Sequence, residues 1–385
     1  MHPEMELLRC AIVRGGTSKA VFILMNELPK EPSIRDAVIR AIYGSPDVRQ
    51  IDGLGGADVL TSKLAIISPS SRSDADVNYT FGQVGIESEF IDYRGNCGNI
   101  SSAVGPFAID EGLIEPVEPI TTVRIHLTNS NNILIAEVPV KNGKAMVDGD
   151  FRIDGCPGTG ARITLDWSDT TGAITGNLLP TGNARDVIGV DGKRYDISLV
   201  DAGNPLVFIR AESLGMKGTE SSDEIESDKA LMATIEKIRG RAAVLCGLVV
   251  NPEEAAKKSP YNPFFAIVSP PTDYKTYDGR DVRSGEIDLV SRLLFMLRVH
   301  KTYPVTGTVC TGAAVRIPDS IAWEVLRDDA RRRLTVNIGH PGGIIPVETE
   351  AEIIGGNPKF KRLGVYRTAR RIMDGHVYVR KSVFM

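Results

Sequence analysis

The feature that most constrains the fold of this chain is a weak repeat of two short segments in each half. A glycine-containing turn that leads into an apolar strand occurs as RGGTSKAVFI at residues 14–23 and as DAGNPLVFI at residues 201–209. A cysteine among glycines, followed by an apolar run, occurs at residues 95–104 and again at residues 307–315. The two segments keep the same order in both halves, which predicts a duplicated domain.

The length and composition of the chain fit two such domains. With 385 residues, the chain exceeds what a single hydrophobic core usually holds. Hydrophobic residues make up 42% of the sequence and charged residues 24%, as is typical of a soluble globular enzyme. Residues 175–189 form a candidate linker, rich in glycine and turn-forming residues. The predicted domains are therefore 1–184 and 185–385, with the last strands able to return to the first domain.

Charge, hydrophobicity and cysteine spacing narrow the expected partners and location. The formal net charge is −4 and no basic run occurs, so neither nucleic acid nor a membrane is an expected partner. No apolar run approaches the roughly 18 residues that cross a bilayer, and the N-terminus does not resemble a signal peptide. The five cysteines lie far apart without a C-x-x-C pair, which predicts a cytoplasmic protein with neither a disulfide framework nor a metal site.

Strand-like segments dominate the chain and do not alternate strictly with helices. Short apolar runs bounded by Gly, Asn, Ser or Pro recur from residue 7 to residue 167. Helices are predicted at residues 33–44, 223–240 and 285–300, where apolar residues recur at helical spacing. This order disfavours a doubly wound parallel sheet of the Rossmann kind.

Cys97 stands directly before a helical pattern that begins at Gly98. The unpaired amides of a helix N-terminus favour an anion there, and they also favour the thiolate form of a cysteine. The alternative is an ordinary buried cysteine that packs as a small hydrophobic residue. Cys310 has the same two interpretations, and Val309 directly before it favours the structural one.

Lys63 follows a glycine-rich stretch and begins the apolar run KLAIIS at residues 63–68. Removal of an amine from water favours its neutral form, which can accept a proton. The alternative is a lysine at a strand end whose ammonium group reaches water. The glycines do not form a dinucleotide-binding fingerprint, because Asp58 stands where G-x-G-x-x-G requires its third glycine.

Two histidines and a basic C-terminal region carry weaker signals. His300 and His340 are each isolated, and such residues are more often ordinary polar or turn residues than catalytic groups. Residues 364–379 are predicted to form a final pair of basic strands. Their arginines suit an acidic substrate, but a solvated surface is the default interpretation.

Six segments of the chain, taken in order, resemble the family of PrpF-type isomerases. This family includes 2-methylaconitate cis–trans isomerase, methylitaconate delta-isomerase and 4-oxalomesaconate tautomerase. The resemblance extends over nearly the whole chain. The matching segments are RGGTSKAVF, DGLGGADVLTSKLAI, GNCGNISSAVGPFAI, DAGNPLVF, HKTYPVTGTVCTGAAV and YRTARRIMDG.

The resemblance also implies a fold. CGN at residues 97–99, GGAD at 55–58 and GNP at 203–205 are similar to elements of diaminopimelate epimerase. An α+β fold is therefore expected, with two pseudo-symmetric epimerase-like domains that each wrap a β-barrel-like sheet around a central helix. These helices are expected to start near Gly98 and near Thr311, with their first amides available to an anion.

The family's site residues carry over by position. Lys63 matches the proposed proton-transfer lysine and Cys97 the active-site cysteine, while Cys310 takes the place of the second epimerase cysteine. The resemblance implies no metal and no cofactor. The residues that it assigns to substrate binding are Ser18, Gly98, Asn99, Asn204, His300, Thr311 and Gly312.

The implied activity is a cofactor-independent allylic isomerisation of a small unsaturated di- or tricarboxylate. Two alternatives stay open: a racemase or epimerase that acts through Cys97 and Cys310, and a non-catalytic protein that assists an aconitase-like dehydratase. The expected binding partner is the substrate, a small unsaturated polycarboxylate. For the assembly, a homodimer or a homotetramer is the expectation.

Overall fold

The chain divides into two compact units. The structure is a computed structural model that describes residues 2–354 and 357–385. The first unit consists of Met1–Thr164 and Arg367–Met385, and the second is Leu165–Tyr366.

The first unit ends at Thr164, whereas the sequence predicts a boundary at residue 184. The difference arises because the intervening residues hydrogen-bond to the second unit. The N–H of Gly172 donates to the carbonyl oxygen of Asp201 at 2.7 Å, and the N–H of Gly203 donates to that of Thr170 at 2.9 Å. Local composition marks residues 175–189 as a loop but gives no information about which unit holds them.

The regular elements are mostly strands, as the sequence predicts. Within the described residues, no helix is both long and apolar enough to cross a membrane. The strands are β1 (Met5–Gly15), β2 (Ser18–Leu24), β3 (Lys63–Pro69), β4 (Val77–Val84), β5 (Ile91–Asp92), β6 (Ile120–Leu127), β7 (Asn132–Lys141), β8 (Lys144–Ala145), β9 (Ile163–Asp166), β10 (Asp186–Val190), β11 (Lys193–Ala202), β12 (Asn204–Arg210), β13 (Phe264–Ser269), β14 (Tyr274–Lys275), β15 (Asp281–Val282), β16 (Leu289–Phe295), β17 (Arg298–Val299), β18 (Thr335–His340), β19 (Gly343–Ile354), β20 (Asn357–Arg367) and β21 (Ala369–Arg380). The α-helices are α1 (Pro32–Tyr43), α2 (Gly98–Asp110), α3 (Ser222–Ser227), α4 (Lys229–Leu245), α5 (Ala255–Lys258), α6 (Val305–Ala314) and α7 (Ile321–Val325).

In the first unit, a continuous series of strands surrounds α2. The series runs β21–β1–β2–β3–β4–β6–β7, and each strand is hydrogen-bonded to the next. The β2–β3 and β4–β6 pairs are parallel, and the others are antiparallel. Helix α2 contacts strands at both ends and in the middle of this series, and 11 of its 13 residues are buried. An enclosed apolar helix of this kind is the predicted central helix of a barrel-like sheet.

The second unit repeats this order of pairings around α6. Its series runs β10–β11–β12–β13–β16–β18–β19, with parallel pairs at β12–β13 and β16–β18. All ten residues of α6 are buried, and the helix contacts β11, β12 and β19. The matching sequence of parallel and antiparallel pairs confirms the prediction of an α+β fold with two pseudo-symmetric domains.

The predicted helix at residues 285–300 is wrong. The structure has strands β16 and β17 there, and all seven residues of β16 are buried. Strand β16 pairs with β13 on one edge and with β18 on the other, and its sequence LVSRLLF is mostly apolar, with Ser291 and Arg292 buried as well. A short, mostly apolar segment of this kind does not distinguish a buried strand from a helix.

The start of the second central helix also differs from the prediction, because α6 begins at Val305 rather than near Thr311. Pro304 is the N-cap residue of α6, as Cys97 is that of α2. The side chain that follows four residues later caps the N-cap carbonyl in both helices: Ser101 donates to Cys97 at 2.9 Å and Thr308 to Pro304 at 3.0 Å.

Two helix glycines fix the same alignment of the repeats. A Cβ atom at Gly105 would lie 2.7 Å from Cγ2 of Val138, and one at Gly312 would lie 2.7 Å from Cγ2 of Val347. Each glycine stands eight residues after its N-cap, because 105 − 97 and 312 − 304 both equal 8. The structural counterpart of Cys97 is therefore Pro304, and Cys310 stands six residues inside its helix.

Candidate active site

The start of α2 is the first component of the site. Cys97 is the N-cap residue, and the helix begins at Gly98, as the sequence predicts. Both residues are buried, with Cys97 7% exposed. The first N–H groups of a helix have no partner within the helix and carry the positive end of its dipole. The amides of Gly98 and Asn99 therefore favour an anion.

The turn between β1 and β2 lies directly against this helix start. A Cβ atom at Gly15 would lie 2.4 Å from the carbonyl oxygen of Asn99. At Gly16 it would lie 2.1 Å from Oδ1 of Asn99, and the backbone there is left-handed, with φ of +52°. Only glycine satisfies both conditions, because the approach excludes a side chain and the conformation disfavours one. The RGGT sequence thus brings β2 to the helix start.

Ser18 is aimed at the same place. Gly15 and Ser18 face each other as a pair across β1 and β2, so the Ser18 side chain extends from the sheet face that Asn99 approaches. The residue is 3% exposed, and among the described residues its Oγ has no hydrogen-bond partner. A buried hydroxyl without a partner costs about 1–3 kcal/mol. A ligand atom at the α2 start would supply that partner.

Lys63 lies on the sheet face that α2 covers. It pairs with Ala20 on β2 and with Gln83 on β4. Alternate residues of a strand share a face, so Ala20 and Phe22 extend to the same side. The ring centroids of Phe22 and Phe107 of α2 are 5.2 Å apart, which identifies this side as the one beneath the helix. The Lys63 side chain is 3% exposed, so its amine is inside the unit and not in water.

Asn99 organises this region with its side chain. Its Oδ1 accepts hydrogen bonds from Nε of Arg367 at 3.1 Å and from the N–H of Thr17 at 3.4 Å. Its Nδ2 donates to Oγ1 of Thr17 at 3.2 Å. The carboxamide therefore ties the β1–β2 turn to the end of β20, and the contact of Asn99 with a substrate stays a prediction.

Arg367 lies beside these groups, although the sequence analysis did not assign it to the site. It is 4% exposed, and burial lowers the pKa of its guanidinium to about 10. The group still carries a positive charge at neutral pH, beside Asn99 and the start of α2. The YRTARR segment supplied a signal in the sequence, but its default interpretation was a solvated surface. A cation at this end of α2 adds to the attraction for an anion.

Four predicted substrate-binding residues lie in the second unit. Nδ2 of Asn204 donates to Oγ1 of Thr306 at 2.9 Å, so this residue holds the start of α6. Nδ1 of His300 accepts from the N–H of Thr302 at 3.2 Å, which assigns the proton of the neutral ring to Nε2.

Thr311 and Gly312 are inside α6, and the prediction that they start a helix is wrong. Oγ1 of Thr311 is 3.0 Å from Oη of Tyr303, and the carbonyl of Gly312 accepts from Thr349. Their amides belong to the helix interior, so they do not form the predicted anion site. The amides at the start of α6 are those of Val305 and Thr306.

Cys310 is enclosed within the second unit. It is fully buried, and its Sγ donates to the carbonyl oxygen of Val200 at 3.2 Å. Burial raises the pKa of the Cys310 thiol well above its usual value. The thiolate that a two-thiol mechanism requires is therefore strongly disfavoured at this position.

The close approach of Gly16 to Asn99 can be tested by measuring the stability of a variant protein. Gly16→Ala is expected to lose about 2–4 kcal/mol of unfolding free energy, because left-handed strain adds to displacement of the Asn99 carboxamide. Gly112→Ala is the matched control: its φ is +72°, and no described atom lies within 4 Å of the added Cβ. We expect the control to lose only about 1 kcal/mol in urea unfolding. Equal losses for the two variants would contradict the close approach.

No metal centre accompanies these groups in the described part of the chain. Across residues 2–354 and 357–385, no group of three or more His, Cys, Asp or Glu side chains is arranged to hold a metal ion. The components gathered in the first unit are instead the α2 amides, a hydroxyl, an amine, a thiol and a guanidinium.

Named proteins of similar sequence are isomerases. The 3-methylitaconate isomerase of Eubacterium barkeri is 51% identical over 374 residues, which cover 97% of each chain. The 2-methyl-aconitate isomerase of Shewanella oneidensis is 37% identical and covers 99% of each chain. The 4-oxalomesaconate tautomerase of Pseudomonas putida is 37% identical and covers 97% of each chain.

Solved structures agree with these matches. The crystal structure of a methylitaconate-delta-isomerase has a TM-score of 0.86 at 50% identity, covering 99% of this chain and 98% of that one. A hydroxyproline epimerase from Agrobacterium vitis, at 13% identity and a TM-score of 0.57, shares the fold. The sequence also matches the family described as PrpF protein over residues 5–380. The chain therefore belongs to the PrpF family, and it is an isomerase.

Proposed function

We propose that this isomerase moves a double bond along a small unsaturated di- or tricarboxylate by a 1,3-proton shift, without a cofactor. The observation that carries the proposal is the buried amine of Lys63 beneath α2. It shares a sheet face with the hydroxyl of Ser18, which has no hydrogen-bond partner among the described residues. The names of the relatives support the class of substrate. The first acid to test is 3-methylitaconate, because the 3-methylitaconate isomerase of Eubacterium barkeri is 51% identical to this chain.

The reaction requires a base, an acid and groups that stabilise negative charge. In the proposed cycle, the neutral amine of Lys63 removes an allylic proton and becomes an ammonium group. The electrons of the broken C–H bond enter the conjugated system and form a dienolate. The thiol of Cys97 then protonates the far allylic carbon, which shifts the double bond. The resulting thiolate regains a proton from the Lys63 ammonium group through solvent, and the enzyme returns to its starting state.

Hydrogen-bond donors near the start of α2 support the charged states of this cycle. The amides of Gly98 and Asn99, the hydroxyl of Ser18 and the guanidinium of Arg367 all belong to the first unit. Fixed donors of this kind stabilise an oxyanion without reorganising during the reaction. They also suit the carboxylates of the substrate, whose negative charge the dienolate extends.

An exchange experiment tests the proposed activity. We expect the purified protein, incubated in D₂O with 3-methylitaconate, 2-methylaconitate or 4-oxalomesaconate, to form an isomer of at least one acid. In proton NMR, the signal at the allylic carbon that receives the proton should decrease, because that carbon takes up deuterium. The deuterium comes from solvent, which exchanges with the catalytic groups between the two transfers. Boiled protein is the control.

The same exchange experiment distinguishes the alternative activities, because each predicts a different result. Deuterium at a retained stereocentre, without movement of the double bond, would identify a racemase or epimerase. The burial of Cys310 argues against that outcome. Absence of exchange with all three acids would favour an accessory protein. The cytoplasmic location and the homodimer or homotetramer stay predictions of the sequence.

A further inference from the structure

We propose that Gln83 is a positioning residue for Lys63: it holds the amine beneath α2 and, being uncharged, leaves the amine able to exchange its proton. This inference rests on the proposed role of Lys63 in proton transfer. It concerns a residue that lies on a different strand and that carries no ionisable group.

The orientation of the Gln83 carboxamide is determined by its surroundings. Its Nε2 donates to the carbonyl oxygens of Val59 at 3.2 Å and Ser62 at 3.0 Å. Both partners are acceptors only, so the NH₂ end must face them. The oxygen Oε1 is thereby turned toward Lys63 and accepts from its Nζ at 3.0 Å. Gln83 is 5% exposed, so water does not compete freely for these bonds.

The backbone of Lys63 is held independently of Gln83. Lys63 and Gln83 face each other as a pair across β3 and β4. From the opposite side of the sheet, the hydroxyl of Tyr43 on α1 donates to the Lys63 carbonyl oxygen and accepts from the N–H of Val21. The side chain then passes the ring of Phe81, whose centroid is 5.4 Å from Nζ. With both ends of the side chain fixed, Nζ has a defined position.

The neutrality of Gln83 matters for the chemistry. A carboxamide oxygen accepts an N–H from an amine as well as from an ammonium group, so Lys63 stays in place in both protonation states. A carboxylate at the same position would favour the ammonium form, because an opposite charge within about 4–6 Å stabilises a charged group. An ammonium group cannot remove a proton. A glutamine here therefore provides position without selecting the inactive form.

Gln83→Glu tests this inference, because it keeps the shape and adds the charge. With the acid that the wild type isomerises, we expect the rising, acidic limb of the pH–rate profile to move upward by about one pH unit or more. KM should change little. The carbonyls of Val59 and Ser62 also face the new carboxylate, so some stability is lost in addition. For that reason the pH profile decides the question, and the rate at one pH does not.

Gln50→Glu is the matched control. Gln50 is also a buried glutamine of the first unit, 1% exposed, but its carboxamide contacts Ser45, Ala57 and the hydroxyl of Ser62. This variant buries a carboxylate without a contact to the Lys63 amine. Its thermal unfolding should shift downward while its pH–rate profile keeps the wild-type shape.

A measurement without substrate separates this inference from the proposed function. The ¹³Cε resonance of Lys63, assigned with Lys63→Arg, reports protonation of the amine. We expect the ammonium form in Gln83→Glu to persist to a pH about one unit or more above that of the wild type. Identical titration curves would overturn the role of Gln83, whether or not the enzyme is active. A displaced curve in a protein that isomerises none of the three acids would support the role of Gln83 and reject the proposed function.

Discussion

Lys63→Ala is expected to reduce isomerisation by about 10²–10⁴-fold, the range that a positioned acid–base group contributes. An allylic proton beside a carboxylate is weakly acidic, so its removal needs a base that is positioned and kept from water. Lys63 meets both conditions, because its amine is buried beneath α2 and held by the carboxamide of Gln83. Solvent deuterium uptake into the substrate should fall together with turnover, since both depend on the same proton removal.

Lys63→Met is the control for packing. Methionine has a similar length and fills the space beside Phe81, but it has no proton-accepting nitrogen. Both variants should lose the same activity although Lys63→Met leaves less empty volume. Circular dichroism and thermal unfolding establish that each is folded. A Lys63→Ala enzyme that works near the wild-type rate would refute the assignment of the base.

Cys97→Ala is expected to lower turnover strongly while leaving measurable activity. The thiol supplies the second proton in the proposed cycle, but the amides at the start of α2 remain when the side chain is removed. Cys97→Ser should retain more activity than Cys97→Ala, because its hydroxyl occupies the place of the thiol and can deliver a proton, although less readily than a thiol. Single-turnover isomerisation at several pH values measures both variants against the wild type.

Cys310→Ala is the comparison that separates one thiol from two. Its Sγ donates to a main-chain carbonyl inside the second unit, so its loss should reduce stability by about 1–3 kcal/mol. We expect kcat to stay within about threefold of the wild type once the protein is folded, a change below 0.7 kcal/mol in barrier height. If Cys310→Ala proves as inactive as Cys97→Ala, the two-thiol mechanism is the correct one.

The repeat in the sequence predicted the duplicated fold, but not its alignment. The turns at Gly16 and Gly203 are correct counterparts, because each lies against the second residue of a central helix, Asn99 or Thr306. The two cysteines looked like a second pair because each stands near glycines. In the folded chain the residue that caps α6 is Pro304, which has no thiol and gives no chemical signal in the sequence.

The candidate site divides in the same way. Lys63 and Cys97 were assigned from short motifs whose chemistry is visible in the residues themselves, and Ser18 was assigned from the family resemblance. Gln83 was not assigned from the sequence, because its position opposite Lys63 depends on the register between β3 and β4. Arg367 was not assigned either, because it contacts Asn99, which lies 268 positions earlier in the chain.

The sequence by itself determined the local features of this protein. Glycine in RGGT, the helix start at Gly98 and the apolar runs of the strands follow from backbone sterics and side-chain polarity over a few residues. Only the tertiary structure decided that residues 289–295 form a buried strand, that Cys310 is enclosed, and that the amine of Lys63 donates a hydrogen bond to Gln83. Burial and pairing between distant segments are properties of the folded sheet. They override local propensity, because a mostly apolar segment can be buried either as a strand or as a helix, and its distant neighbours decide which one forms.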